Sequence, residues 1–193
     1  MSIFDYFGSK ERRAKQTRQL LNRRADYYEA NEFGREKTDE DFAKYIISMK
    51  PKNALELGCG YGRMLRKLEG NGIKLTGIDF SEEMVKRAKR NCKEAEIILM
   101  DLTQTSFPDN SFDVVFSVVA LFCVPDIEKA ISEAKRIAKG KIIIREVEKE
   151  NTPIFFRLVH RWYVNFYDYS RFGFTKLPLK ETTWVWEKKA GKS

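Results

Sequence analysis

The residues most able to do chemistry lie in three places along the chain. The first is the run Glu56-Leu57-Gly58-Cys59-Gly60-Tyr61-Gly62. Glycines let a backbone approach a ligand closely, and a helix that starts behind them offers free N–H groups to a carboxylate or phosphate. The second is Asp79, placed to accept both hydroxyls of a ribose about 20 residues beyond the loop. The third is Asp101, placed to accept from an adenine amino group. Glu56, two residues before the first glycine, repels a pyrophosphate, and the spacing is Gly-x-Gly-x-Gly where a nicotinamide dinucleotide loop has Gly-x-Gly-x-x-Gly. The set points to a nucleoside ligand without a pyrophosphate.

Acid–base and nucleophilic candidates are fewer. His160 is the sole histidine and could take a proton near neutral pH, or simply pack on a helix. Cys123 sits between Phe122 and Val124, as a buried structural thiol would. Cys59, Cys92 and Cys123 are too few and too scattered for a disulfide framework or a zinc cluster, so no metal site is expected. Nine of the 25 aromatics fall in residues 154 to 174. There Phe155, Val159, Trp162 and Phe166 share one helical face, and Phe156, Tyr163 and Tyr167 an adjoining one. One face suits core packing; the second suits an acceptor cavity, a cation–π wall or a dimer interface.

These groups must be carried by alternating strands and helices. Thr38 reads as an N-cap for a helix with Phe42, Tyr45, Ile46 and Met49 on its apolar face. Strands follow at 53–57, 74–78, 95–100, 112–121 and 141–147, the fourth a nearly continuous apolar run as in a strand covered on both sides. Between them lie a helix with Met64, Leu65 and Leu68, a helix capped by Ser81 with Met84, Val85, Ala88 and Cys92, and a helix from Ile127 to Ala138 closed by Gly140. The pattern is a parallel sheet between helix layers. Residues 10 to 24 add a basic stretch, seven Lys or Arg against Glu11. It reads as a solvated helix, or as a contact for RNA phosphates or anionic lipid.

The chain's 193 residues, 42% hydrophobic and 33% charged, suit one globular domain rather than a disordered or disulfide-stapled chain. A net charge of +8 favours an acidic partner without choosing one. With no long apolar span and no signal-peptide plan, a reduced cytoplasmic setting is expected.

ELGCGYGR, GIDFS and DLTQTSFPDNSFDVVFSVVALFCVPD resemble, in order, the motifs of class I S-adenosylmethionine-dependent methyltransferases, most closely the methyltransferase type 11 group, over residues 38 to 148. The resemblance implies a Rossmann-like, doubly wound α/β fold whose seven-stranded sheet is mostly parallel, with an antiparallel last strand near Thr183 to Lys188. It implies one domain: an N-terminal lid in 1–37, the cofactor core in 38–149, and an acceptor-side segment in 150–193. S-adenosylmethionine is the cofactor implied, S-adenosylhomocysteine its product. Glu56, Gly58, Cys59, Gly60, Gly62, Asp79, Phe80, Met84, Asp101, Leu102 and Ser117 would bind it, with Tyr28 and Arg35, near Tyr27, at the methionine end. Phe122, Trp162, Tyr163 and Tyr167 would meet the acceptor, and His160 and Tyr163 are the catalytic candidates. Ser117-Val118-Val119-Ala120 departs from the Asn/Asp-Pro-Pro-Tyr motif of exocyclic-amine and glutamine-amide methylation. A small acceptor is the leading expectation; RNA or protein acceptors, a homodimer and a non-catalytic binding module stay open.

Overall fold

The computed structural model describes residues 9–30, 36–146, 167–180 and 183–190, leaving aside the side chains of Tyr28, Glu36, Lys37, Lys180, Thr183 and Trp184. Helix α1 (Lys10–Ala30) and helix α2 (Glu36–Ser48) precede the alternating core. That core runs β1 (Asn53–Leu57), α3 (Arg63–Leu68), β2 (Lys74–Asp79), α4 (Glu82–Asn91), β3 (Glu96–Leu99), β4 (Phe112–Val118), α5 (Ile127–Ile137) and β5 (Ala138–Arg145). Strands β6 (Thr175–Lys180) and β7 (Thr183–Lys189) finish a seven-stranded sheet in the order β3-β2-β1-β4-β5-β7-β6. Neighbours from β3 through β5 pair in parallel, and β7 is antiparallel to both β5 and β6. The expected doubly wound sheet with its antiparallel last strand is therefore present.

Strand alternation divides the core in two. Val114, Phe116, Val118 and Ile143 pack on Phe42, Ile46, Met64 and Leu65 from α2 and α3. Val115, Ile142 and Ile144 face the other way, onto Ile127, Ala130, Ile131 and Ala134 of α5. With period two, each central strand buries both faces, which is why β1 and β4 read as almost unbroken apolar runs.

Three local expectations need correction. Helix α2 begins at Glu36, so Thr38 lies inside it and is not its N-cap; Glu36 and Lys37 are good helix formers and extend it. Strand β4 stops at Val118, because Val119 turns left-handed with φ 54° and the chain enters a 3-10 turn at Leu121–Cys123. Gly140 is not a helix cap: α5 passes directly into β5 through the extended Ala138. Gly140 instead sits at a register shift in β5, where a Cβ would lie 2.2 Å from the Asp113 carbonyl oxygen.

Candidate active site

Strand β1 ends in Glu56 and Leu57, and the chain then turns at once through the glycine loop. The Ile78 carbonyl, at the end of neighbouring β2, accepts from the N–H groups of Gly58 and Cys59, each at 2.9 Å. Gly58 lies so near the β4 exit that a Cβ there would come 2.5 Å from the Ala120 Cβ. At Gly60 the backbone is left-handed, φ 53°, and no described heavy atom would lie within 4 Å of an added Cβ. The loop is thus braced at one glycine and open at the next, as close approach by a ligand requires.

Asp79 locks this arrangement. One carboxylate oxygen accepts from the Gly60 N–H and the other from the Ser81 N–H, both at 2.9 Å. Ser81 then caps α4 by accepting from the Met84 N–H at 3.2 Å. Burial pushes the Asp79 carboxyl up, and hydrogen bonds from Ser81 and Gly60 oppose that. Each oxygen keeps a lone pair for a further donor. Asp101 is exposed; its Oδ1 accepts from the Thr103 N–H and hydroxyl at 2.8 and 2.7 Å.

Glu56 is 2% exposed, and its Oε2 has no hydrogen-bond partner among the described residues. Burial and then Asp79 hold this carboxyl well above the ordinary range, while Arg145 pulls it down. Arg145 and Arg63 both pair with Asp39, which is 2% exposed. Arg145 also lies 5.4 Å from the Phe42 ring centre. A buried carboxylate oxygen without a donor suits a cationic ligand group such as an ammonium.

The other expected cofactor residues divide. Leu102 approaches Gly58, its Cδ2 3.9 Å from a Cβ built there. Cys59 is buried, and burial followed by Asp79 pushes its thiol well up, as for an inert side chain. The Ser117 hydroxyl donates to the Leu57 carbonyl at 3.0 Å and so stitches β4 to the end of β1. Met84 is buried with Tyr61 and Ala25 beneath α1. Phe80 is half-buried with the Arg18 guanidinium 5.3 Å from its ring centre.

Helix α1 is not simply a solvated basic rod. Lys10 pairs with Asp126 at 2.9 Å, Asn22 Oδ1 accepts from the Ser81 hydroxyl at 2.6 Å, and Glu29 binds Arg87, Arg90 and Asn91. Those partners lie beyond the carboxyl ends of β4 and β2 and on α4. At about 1.5 Å per residue, the helix is long enough to cross that end of the sheet. Arg18, Asn22 and Glu29 hold it there through Phe80, Ser81 and Arg87. Tyr27 is exposed, the side chain of Tyr28 is not described, and Arg35 lies outside the described residues.

On the acceptor side, Tyr167 is half-buried and its hydroxyl donates to the Val124 carbonyl at 2.8 Å. Tyr169 is fully buried against Tyr167, Phe174 and Trp186, with ring centres 5.8 to 6.2 Å apart. Phe122 is half-buried in the turn after β4, and burial pushes the Cys123 thiol well up. His160, Trp162 and Tyr163, with Phe155, Phe156, Val159 and Phe166, lie outside the described residues. Among the described residues no cluster could hold a metal ion, and no helix is long and apolar enough to cross a membrane.

Sequence reasoning missed Asp39, Arg63, Arg145 and Glu146. Asp39 and Arg145 are 106 positions apart, and no local spacing links them. The signal present was Arg145-Glu146, two charges ending an apolar strand, as Glu56 and Asp79 end β1 and β2.

A family model described as a methyltransferase domain matches residues 55–144. A phosphatidylethanolamine N-methyltransferase of Cereibacter sphaeroides is 33% identical over 123 residues, 55% of this chain and 61% of that protein. A ubiquinone/menaquinone biosynthesis C-methyltransferase of Rickettsia bellii is 31% identical over 166 residues, 74% of this chain and 66% of that protein. The chain thus spans about three fifths to two thirds of the length of these curated relatives. The crystal structure of an S-adenosylmethionine-dependent methyltransferase from Thermotoga maritima superposes with a TM-score of 0.69, at 20% identity, over 90% of this chain and 99% of that one. At that identity the likeness is one of fold.

Proposed function

Because the chain belongs to the S-adenosylmethionine-dependent methyltransferases, we propose that it transfers the methyl group of that cofactor to a small amphiphilic acceptor, one joining an ionisable group to an apolar body. One observation carries the acceptor class: the buried aromatic cluster of Tyr167, Tyr169, Phe174 and Trp186, anchored to the β4 exit through Val124. Its half-buried members, Tyr167 and Trp186, would meet the acceptor, on the opposite face of the sheet from Glu56. The relatives support the same class, being named for phosphatidylethanolamine and for ubiquinone/menaquinone biosynthesis, all of them amphiphiles.

Bound S-adenosylmethionine supplies a methyl group made electrophilic by its sulfonium. The unpartnered oxygen of Glu56 would accept from the ammonium of its methionine end, with Arg145 and Asp39 fixing the carboxylate from behind. Asp79 would accept from the ribose hydroxyls, and Asp101 from the adenine amino group. Gly60 lets the loop backbone close against the ligand, and α1 covers it from water. Holding acceptor and methyl in line supplies most of what such a displacement needs, roughly 7 to 11 kcal/mol of pre-organisation.

Labelled S-adenosylmethionine should be incubated separately with a short-chain demethylmenaquinol, phosphatidylethanolamine vesicles, tRNA and unmodified cell protein. Label is expected in one of the first two pools. Label confined to RNA or protein would overturn the small acceptor, and cofactor binding without label in any pool would leave a binding module.

A further inference from the structure

The two-residue period of β5 sends consecutive charged residues to opposite faces of the sheet. Ile143 belongs to the face with Phe42 and Phe116, and Arg145 continues it toward Asp39 and Glu56. Ile142 and Ile144 belong to the face with Tyr169, and Glu146 follows them. Two carboxylates thus flank the carboxyl end of β4, Glu56 on the cofactor side and Glu146 beside the aromatic cluster.

Glu146 Oε1 accepts from the Ala120 and Leu121 N–H groups at 3.2 and 2.7 Å. Those donors are presented by the turn at Val119, a β-branched residue at φ 54°, a conformation such side chains rarely hold. The second oxygen, Oε2, is buried and has no hydrogen-bond partner among the described residues, and neither has the buried Tyr169 hydroxyl. Glu146 is close enough for its charge to help raise the Tyr169 phenol, after burial, and likewise the Cys123 thiol. Arg145 is the charged neighbour that draws Glu146 the other way. Ala120, which binds Glu146, is also the residue against which Gly58 packs. One residue therefore separates Glu146 from the cofactor loop.

Two buried, unpaired polar atoms on the face of one apolar cluster each leave a hydrogen bond for a ligand group to make. We propose that Glu146 is the general base of methyl transfer and that the Tyr169 hydroxyl holds the acceptor's ionisable group against it. This rests on the functional reading above. The acceptor group X–H gives its proton to Glu146 Oε2. On an amine acceptor the pair left on X forms the bond to the methyl carbon as the carbon–sulfur bond breaks, its electrons staying on sulfur. On a quinol the pair left on oxygen pushes through the ring so that the adjacent ring carbon makes that bond, and the methylated ketone then tautomerises to the quinol. Glu146 then returns the proton to water as product leaves. Burial pushes the Glu146 carboxyl up to about 8, which makes its ionised form a base matched to near-neutral pH.

Glu146→Gln separates this role from that of a structural peg, because glutamine keeps an oxygen for the Ala120 and Leu121 N–H groups. With demethylmenaquinol as acceptor, kcat should fall about 100-fold or more, the usual worth of a general base, while S-adenosylhomocysteine affinity stays as in the wild type. So does Tm below about pH 4.5, where the wild-type carboxyl is protonated in both the folded and the unfolded chain. The wild-type kcat/KM should rise with pH toward a plateau above about 8, and Glu146→Gln should lack that limb. Tyr169→Phe should raise KM more than it lowers kcat. Independently of turnover, infrared difference spectra of the S-adenosylhomocysteine complex should contain a buried carboxylic-acid band that titrates over the same range and is lost in Glu146→Gln. If that variant does not fold, this wild-type band and the kinetics of Glu146→Asp decide. A Glu146→Gln enzyme with wild-type rate and pH profile overturns the inference alone, as does the lack of a titrating band. Failure of the wild type to methylate any acceptor removes the functional reading, and the base with it.

Discussion

Asp79 must hold the protein and a ligand with the same two oxygens. Because each already accepts from a backbone N–H, of Gly60 and of Ser81, Asp79→Asn cannot be conservative: whichever oxygen becomes an amide NH2 faces a donor. Asp79→Ala is expected to weaken S-adenosylhomocysteine binding about 10- to 100-fold, the worth of hydrogen bonds to a charged group at ~1.5–3 kcal/mol. Asp79→Asn should lose nearly as much, by calorimetry on folded protein, whereas recovery in the Asn variant would show that the ribose contact is made elsewhere. Glu146 makes a second residue-scale prediction through its folded-state carboxyl, raised to about 8. The folded state holds a proton that the unfolded chain releases above about 4.5, so stability should fall as pH rises from there through about 8. Chemical denaturation across that range should show the decline, and Glu146→Gln should flatten it. The sequence made Asp79 visible, because it ends a strand at the right distance from a glycine loop. It left Glu146 unseen, because its unpaired oxygen depends on what β4 and the Tyr169 segment bring beside it.

At the scale of elements, α1 is fixed by what it meets. Its sequence is strongly basic, yet the contact with α4 is made by its few acids: Asp26 and Glu29 reach Arg87, and Glu29 also reaches Arg90 and Asn91. The Asn91 hydrogen bond, with those from Arg87 and Arg90, holds the Glu29 carboxyl down to about 2. A depressed carboxyl stabilises above its unfolded value and loses that contribution as pH falls toward about 2. Glu29→Gln should therefore speed hydrogen exchange of the α1 amides a few-fold at neutral pH, with wild type and variant converging in acid. Equal exchange at neutral pH would mean that the packing of Ala25 on Met84 and the contacts of Lys10, Arg18, Asn22 and Asp26 hold the helix down without Glu29.

Over the whole molecule, a charge of +8 is spread unevenly. Arg12, Lys15, Arg23 and Arg24 lie on the exposed side of α1, away from Thr17 and Ala25, which are buried. Replacing these four with Gln should leave cofactor affinity and transfer to a small acceptor within about two-fold, since exposed charges far from a site act weakly and are screened. A large, salt-sensitive loss of transfer would instead point to a polyanionic acceptor, and comparing kcat/KM at low and moderate salt distinguishes the two.

The local sequence determined the alternation of strand and helix, the glycine loop, and the acids at the ends of β1, β2 and β3, because each follows from residue type at short spacing. It misread the end of β4 and the role of Gly140, where the deciding contacts are with Arg145, whose carbonyl accepts from the Val119 N–H at 2.8 Å, and with Asp113. Only the tertiary structure decided which acids keep an unpaired oxygen and what covers the carboxyl end of the sheet. Glu56, Asp39 and Arg145 come together from β1, α2 and β5, and Glu146 meets Ala120 across 26 residues. Pairing at such separations is set by strand order and by which face of the sheet each side chain takes, and neither is written in any local stretch of the chain.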